Sequence, residues 1–245
     1  PKIGWISTWH SKCGIATYSQ HLIEAMPGNV TVFSPENEAR ILGPDESLRL
    51  WRQSKSLSHL GRILANSASN EVDLFVIQFN FGFFNHADLA NFIYQAKERG
   101  KSVVICLHAT YLINLAPREN FQLPYIGPAL AACDRILVHS IDDLNNLKAI
   151  GLVDNVALFP HGVLRRKVAP GSRRKNGETT IATYGFAVPH KGLMEALEAV
   201  KLLRDQGRKI RLKMVNAEYP AEVSAALVHD LKVRVAELGL TDHVE

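Results

Sequence analysis

"WISTWHSKCGIATYSQHL", Trp5 to Leu22, decides how the chain begins to fold. The apolar run from Ile3 to Ser7 reads as a strand, and it opens into a loop holding His10, Lys12, Cys13 and Gly14. A helix follows at once, with Ile15, Tyr18, Leu22, Ile23 and Met26 spaced as one apolar stripe of period 3.6 and Ser19, Gln20 and Glu24 on the polar face. The loop admits three readings. As a phosphate cradle, Gly14 stands where a helix N-terminus exposes unpaired N–H groups, and its lack of Cβ lets a diphosphate approach closely while Lys12 adds charge. As a simple turn, Gly14 only bends the chain while Ser11 or Thr17 helps cap the helix. As a metal site, His10 and Cys13 lack a second ligand pair of recognisable spacing. The loop is neither a Walker A nor a G-x-G-x-x-G sequence.

Outward from this stretch, short β-branched or apolar runs alternate with helical patterns. Strands are expected near 2–7, 29–33, 72–78, 102–107, 135–139 and 155–159, with helices between most of them. This alternation implies an α/β fold with a doubly wound parallel sheet. Residues 164–178, "LRRKVAPGSRRKNGE", break the pattern and read as a basic interdomain linker. The alternation then resumes with a strand at 179–184, a helix at about 191–205 carrying Leu193, Leu197 and Val200 on one face, a strand at 210–215 and a helix at about 220–238. Three segments follow: a first Rossmann-like domain over 1–163, the linker, and the beginning of a second domain over 179–245. Because the chain starts at Pro1 and stops where another strand is about to begin, it is expected to be a piece of a longer protein, with the second domain truncated.

Composition narrows the partners. The 245 residues are 47% hydrophobic, enough for one long or two ordinary cores, and no apolar run approaches the roughly 20 residues of a membrane span. Nothing at the N-terminus reads as a signal peptide, so a cytoplasmic protein is expected. Cys13, Cys106 and Cys133 are odd in number and far apart, against a disulfide framework or zinc ribbon. The net charge of +4 favours anionic ligands without requiring nucleic acid.

In doubly wound sheets ligands sit beyond the carboxyl ends of the strands, where this sequence gathers histidines and glycines. His108, in "VVICLHAT", lies just past a wholly apolar strand, where a neutral imidazole either meets a substrate hydroxyl or is satisfied by backbone. "QFNFGFFN" offers a stacking wall or more core, with Asn80 and Phe81 as candidate sugar or acceptor contacts alongside His10 and with Phe79 assigned to the core. His139, in "ILVHSIDDL", is assigned to packing and turn geometry, with Ser140 as N-cap and Asp143 at N3 of a capping box. Gly185, Pro189, His190 and Lys191 aim a cation and free N–H groups at one place, as a second anion site requires.

"SKCGIATYSQHL", "LHAT", "ILVHSIDDL", "LFPHGV" and "IATYGFAVPHKGLMEALEAVKLL", in this order and spacing, resemble the GT-B retaining glycosyltransferases of family 4 over nearly the whole chain. The resemblance implies two Rossmann-like domains and transfer of a sugar, with retention, from a UDP- or GDP-linked donor to a glycan or lipid-linked acceptor. Residue by residue it implies that Gly14 approaches the donor diphosphate, that His108 lines the transfer site, and that Gly185 and Lys191 complete the diphosphate site across the cleft. No metal or other cofactor is then required, since fixed cations and helix N-termini stabilise the charge that develops on the leaving diphosphate. Many family members carry a basic residue between the glycine and lysine of the second motif, where this chain has only His190. The family's Glu-(x)7-Glu segment would fall beyond Glu245. The linker cations Arg165, Arg166, Lys167, Arg173, Arg174 and Lys175 either form a solvated hinge or meet anionic headgroups at the inner membrane face. Two other readings stand beside transfer: a catalytically silent sugar-nucleotide-binding subunit, and an epimerase or phosphorylase on a similar fold.

Overall fold

Apolar runs bounded by polar turns become strands because each can bury both faces in a parallel sheet. The computed structural model describes residues 1–39, 41, 44–110, 123–164, 177–219 and 221–245. The linker cations, all within 165–176, lie outside the described residues. Two compact units divide the chain, Pro1–Leu164 and Arg165–Glu245.

The first unit is built on β1 (Lys2–Ile6), β2 (Asn29–Pro35), β3 (Leu48–Trp51), β4 (Leu74–Phe79), β5 (Ser102–Leu107), β6 (Arg135–Val138) and β7 (Val156–Leu158). All pair in parallel, in the order β3-β2-β1-β4-β5-β6-β7. The helices are α1 (Gly14–Ala25), α2 (Gly61–Ala65), α3 (His86–Glu98), α4 (Gly127–Ala131) and α5 (Ile141–Ala149). The chain runs outward from β1 to β3, returns to begin again at β4, and runs outward the other way. Right-handed crossovers therefore put α1 and α3 on opposite faces, and the switch point falls between β1 and β4.

β3 is a strand the sequence pattern did not announce. "LRLW" is short, stands at the sheet edge, and slips in register against β2 between Ser34 and Pro35. Its Trp51 is fully buried and donates Nε1–H to the carbonyl of Phe33 at 2.9 Å. Ser19 also departs from expectation. Assigned to the polar face of α1, it is fully buried and shares a hydrogen bond of 2.8 Å with Ser7 at the end of β1. A small hydroxyl lets the helix approach the sheet, and the second serine satisfies it. Gln20 and Glu24 do face solvent, bonded to each other at 2.8 Å. Ser140 caps α5 as read: its Oγ accepts from the Asp143 N–H at 3.1 Å, while the Asp143 carboxylate accepts from the Ser140 hydroxyl at 2.6 Å, a variation on the capping box, in which that carboxylate would meet the backbone N–H.

In the second unit, β8 (Thr179–Phe186) pairs in parallel with β9 (Ile210–Ala217), and α6 (Leu193–Asp205) and α7 (Glu222–Glu237) pack with them. Leu193, Leu197 and Val200 form the buried stripe of α6, against Leu212, Leu231 and Leu240. The ladder continues past β9, since Leu212 N–H donates to His243 O at 2.8 Å and Glu245 N–H to Leu212 O at 2.9 Å. Among the described residues no helix is long and apolar enough to cross a membrane.

Gly4, in the middle of β1, carries the tightest approach. A Cβ built there would lie 2.7 and 2.8 Å from two ring carbons of Phe75 and 3.0 Å from the Phe33 ring. Both rings are fully buried, so neither can swing into solvent. Gly4→Ala is therefore expected to destabilise the protein by about 1–3 kcal/mol through overpacking, read as a lower urea midpoint at unchanged m-value.

Candidate functional site

The site grows out of strand register. β4 and β5 pair Gln78 with Cys106, and β5 and β6 pair Leu107 with Val138. Paired residues face the same way and side chains alternate along each strand, so Gln78, Cys106 and His108 share one face. His139, one past Val138, then stands beside His108. β7 continues the series, and the chain leaving it brings His161 to the same place.

The rings are in contact. His139 and His161 stack at 3.8 Å between centroids, His108 lies 4.9 Å from His139, and the two outer imidazoles are 6.1 Å apart. Tyr18, from α1, presents edge-on contacts at 5.0, 5.4 and 5.3 Å to His108, His139 and His161. Its hydroxyl reaches Cys106 Sγ at 4.0 Å.

Hydrogen-bond partners fix the protons. A carbonyl can only accept, so His139 Nδ1–H donates to Phe159 O at 2.8 Å and its Nε2 is left to accept the Cys106 thiol proton, with S and N 3.3 Å apart. His108 Nε2–H donates to the Gln78 amide oxygen at 2.8 Å, so its Nδ1 carries the free lone pair. Gln78 is itself buried. Below them Thr110 donates to Asp143 at 2.7 Å and accepts from Asn146 at 2.9 Å, tying the loop after β5 to α5.

Burial sets the charge states. It pushes the His108 imidazolium down to about 3, helped by the neighbouring charges of His139 and His161. His161 is lowered for the same reasons, burial first and His139 second. Burial pushes the Cys106 thiol up to about 12, against the hydrogen bond from Tyr18, and raises the Tyr18 phenol. At neutral pH the site thus presents uncharged His108, a thiol and a phenol. A neutral imidazole with one nitrogen anchored can accept from a hydroxyl through the other.

The sequence-derived candidates separate. Gly14 opens α1, whose N-cap Cys13 makes no side-chain cap, and the first helical bond is Thr17 N–H to Cys13 O at 3.1 Å. Gly14 precedes Tyr18 by one turn, about 6 Å along the axis, and a Cβ on it would meet nothing within 4 Å. His10 adopts φ +49, its carbonyl accepts from Ile41 N–H at 2.6 Å, and its ring packs edge-on against Trp9. Asn80, half-buried, accepts from Gly82 N–H at 3.0 Å through Oδ1, and Phe81 is buried edge-on against Phe79 in the core. In the second unit Gly185 holds φ +108 near the end of β8, and Lys191 ends the 3-10 turn Pro189–Lys191, exposed, just before α6.

His139 is the residue that sequence reasoning assigned to packing and that the structure places at the centre. Tyr18, Cys106, Gln78 and His161 were likewise absent from the candidates. A signal was present, because each of β5, β6 and β7 is followed within three residues by a histidine, but their adjacency depends on strand order. Among the described residues, Cys106, His108 and His139 also place one ligand-capable atom each within 4.8 Å of one another, and no such group forms at His10 and Cys13.

No family model and no curated protein matches the sequence. Solved structures do match. A mutant of S. aureus TarM, in complex with Fondaparinux, alpha-GlcNAc-glycerol and UDP, superposes with a TM-score of 0.55 at 10% identity over 77% of this chain and 36% of that one. The UDP-forming alpha,alpha-trehalose-phosphate synthase of Burkholderia xenovorans, in complex with glucose-6-phosphate, gives 0.64 at 13% identity over 97% and 71%. An E. coli trehalose-6-phosphate structure bound with UDP-2-fluoro glucose gives 0.64 at 12% over 97% and 70%. The chain therefore spans about a third of TarM and about seven tenths of the other two. At these identities the likeness shows the fold, an α/β arrangement of the GT-B type with Rossmann-like parallel sheets.

The depressed His108 has a consequence for stability. Between pH 6.5 and about 3 the unfolded chain binds a proton at this residue and the folded one does not, so stability falls as pH falls through that window, by about 1.4 kcal/mol per pH unit at most from this group. His108→Gln is expected to flatten the pH dependence of the urea midpoint across that window, and NMR of ring nitrogens should show a neutral His108 at pH 5.

Proposed function

We propose that this protein transfers a sugar from a nucleotide-diphosphate donor, UDP- or GDP-linked, to a glycan or lipid-linked acceptor with retention of configuration, as a family 4-like enzyme. The observation that supports it is the neutral His108, anchored by Gln78 at the carboxyl end of a central strand and packed edge-on against Tyr18, which lies one helical turn into α1 from Gly14. The neighbours that share the fold carry UDP, a UDP-sugar or a sugar phosphate by their descriptions, which favours the same ligand class here.

Each unit contributes chemistry of its own. In the first, the N–H groups of Gly14, Ile15 and Ala16 precede the first helical bond and suit a diphosphate, which the positive end of the helix dipole also attracts. His108 Nδ1 accepts a hydroxyl of the transferring sugar. In the second, Gly185 gives the backbone a conformation that L side chains rarely adopt, and Lys191 supplies a cation beside the uncapped start of α6. Negative charge grows on the diphosphate as its bond to the sugar breaks, so groups fixed beforehand stabilise the transition state more than the ground state. The reaction so described draws on no metal. His10 remains the candidate acceptor contact nearest the loop; Asn80 and Phe81 are committed to a turn and to the core.

Two variants test the reading. His108→Ala is expected to lower turnover about a hundredfold while nucleotide affinity changes little, since the contact matters most at the transition state. Gly14→Val, at a position where a Cβ meets no protein atom, is expected to melt normally and to lose donor affinity by calorimetry against UDP- and GDP-sugars. Wild-type turnover in the first variant and wild-type affinity in the second would sink the assignment.

A further inference from the structure

Cys106, His108 and His139 were gathered by register, yet their chemistry extends past hydrogen bonding to a sugar. Their ligand-capable atoms lie within 4.8 Å of one another. A tetrahedral zinc ion, with bonds of about 2.3 Å to sulfur and 2.0–2.1 Å to nitrogen, holds its ligand atoms about 3.3–3.7 Å apart. Cys106 Sγ and His139 Nε2, at 3.3 Å, already stand at that spacing. The His108 ligand nitrogen, within 4.8 Å of the other two ligand atoms, has at most about 1–1.5 Å to close to reach that spacing.

The outer shell is also in place. Histidines that bind metals donate their second N–H to a carbonyl or carboxylate, which fixes the tautomer and aims the bare nitrogen. His139 does so to Phe159 O and His108 to Gln78 Oε1, each at 2.8 Å. Gln78 is buried and held beside Cys106 by strand pairing. A thiolate with two imidazoles is a ligand set for zinc and neighbouring divalent transition ions, not for magnesium or calcium. The other cysteines have no such company: Cys133 donates to Ala129 O, and Cys13 Sγ accepts from Thr8.

We propose that Cys106, His108 and His139 bind one divalent zinc-like transition-metal ion, with a fourth position left for water or an anion. On binding, the Cys106 S–H bond breaks, sulfur bonds to the metal, and the proton leaves to solvent, one per ion. The His139 nitrogen that accepted that proton turns its lone pair to the metal. The site is argued from ligand geometry and not from sugar transfer; because it takes the lone pair of His108, a bound ion and a sugar hydroxyl would compete for that nitrogen.

The test uses the protein after dialysis against a chelator, titrated with Co2+ and followed by absorption. One ion per chain is expected, with visible bands of tetrahedral cobalt and a near-ultraviolet thiolate-to-cobalt band, all lost on adding one equivalent of Zn2+. Cys106→Ser should abolish the thiolate band, and His139→Ala should weaken Co2+ binding about tenfold or more. Circular dichroism and melting confirm that each variant is folded. Should Cys106→Ser fail to fold, His139→Ala, at a half-buried position, decides. Absence of a thiolate band in the unmodified protein, or unchanged Co2+ affinity in folded His139→Ala, would overturn the proposal.

Discussion

The lateral register of the parallel ladder is the constraint on which this molecule depends. Backbone hydrogen bonds hold neighbouring strands about 4.8 Å apart and pair their residues one to one. Once Gln78 is paired with Cys106 and Leu107 with Val138, the positions that follow have no freedom to separate. Apolar residues fill the strands because both faces are covered. The first polar side chains therefore emerge together at the carboxyl rim, where Gln78, Cys106, His108 and His139 meet under Tyr18.

Burial then does the chemical tuning. Imidazole beside imidazole, with a thiol and a phenol against them, is a poor place for charge. His108 stays neutral well into acid, Cys106 keeps its proton, and the hydrogen bonds to Gln78 and Phe159 assign each ring one donor and one acceptor. Two distinct capacities follow from this one arrangement. A free lone pair on a rigid imidazole suits a sugar hydroxyl, and the same lone pairs beside a displaceable thiol proton suit a metal ion.

Much of the fold was legible in the sequence because strands buried on both faces leave a simple trace. "VVICLHAT" and "ILVHS" are apolar runs that stop at a polar rim, and α6 shows its buried Leu193, Leu197 and Val200 by spacing. β3 was not legible, since a four-residue edge strand containing Arg49 has no such trace and pairs past a slip at Pro35. Ser19 misled because polarity predicts exposure, whereas its hydroxyl is answered by Ser7 inside the protein. Of the site, His108 could be picked out by its place after a central strand. His139 could not, because its neighbours in sequence, Ser140 and Asp143, do make the N-cap contacts that explained it locally, and only strand order reveals that β6 lies next to β5.

The alternation of side chains along β6 gives the site a parity. Inserting or deleting a single residue between Asp134 and His139 would send the imidazole through to the opposite face of the sheet, while a change of two would keep the face and shift the depth. Length variation tolerated in the surface loops is therefore forbidden in this short segment to odd steps. Any descendant of this chain that retains the histidine pair should keep an even count there, even if every apolar side chain in β6 were exchanged for another.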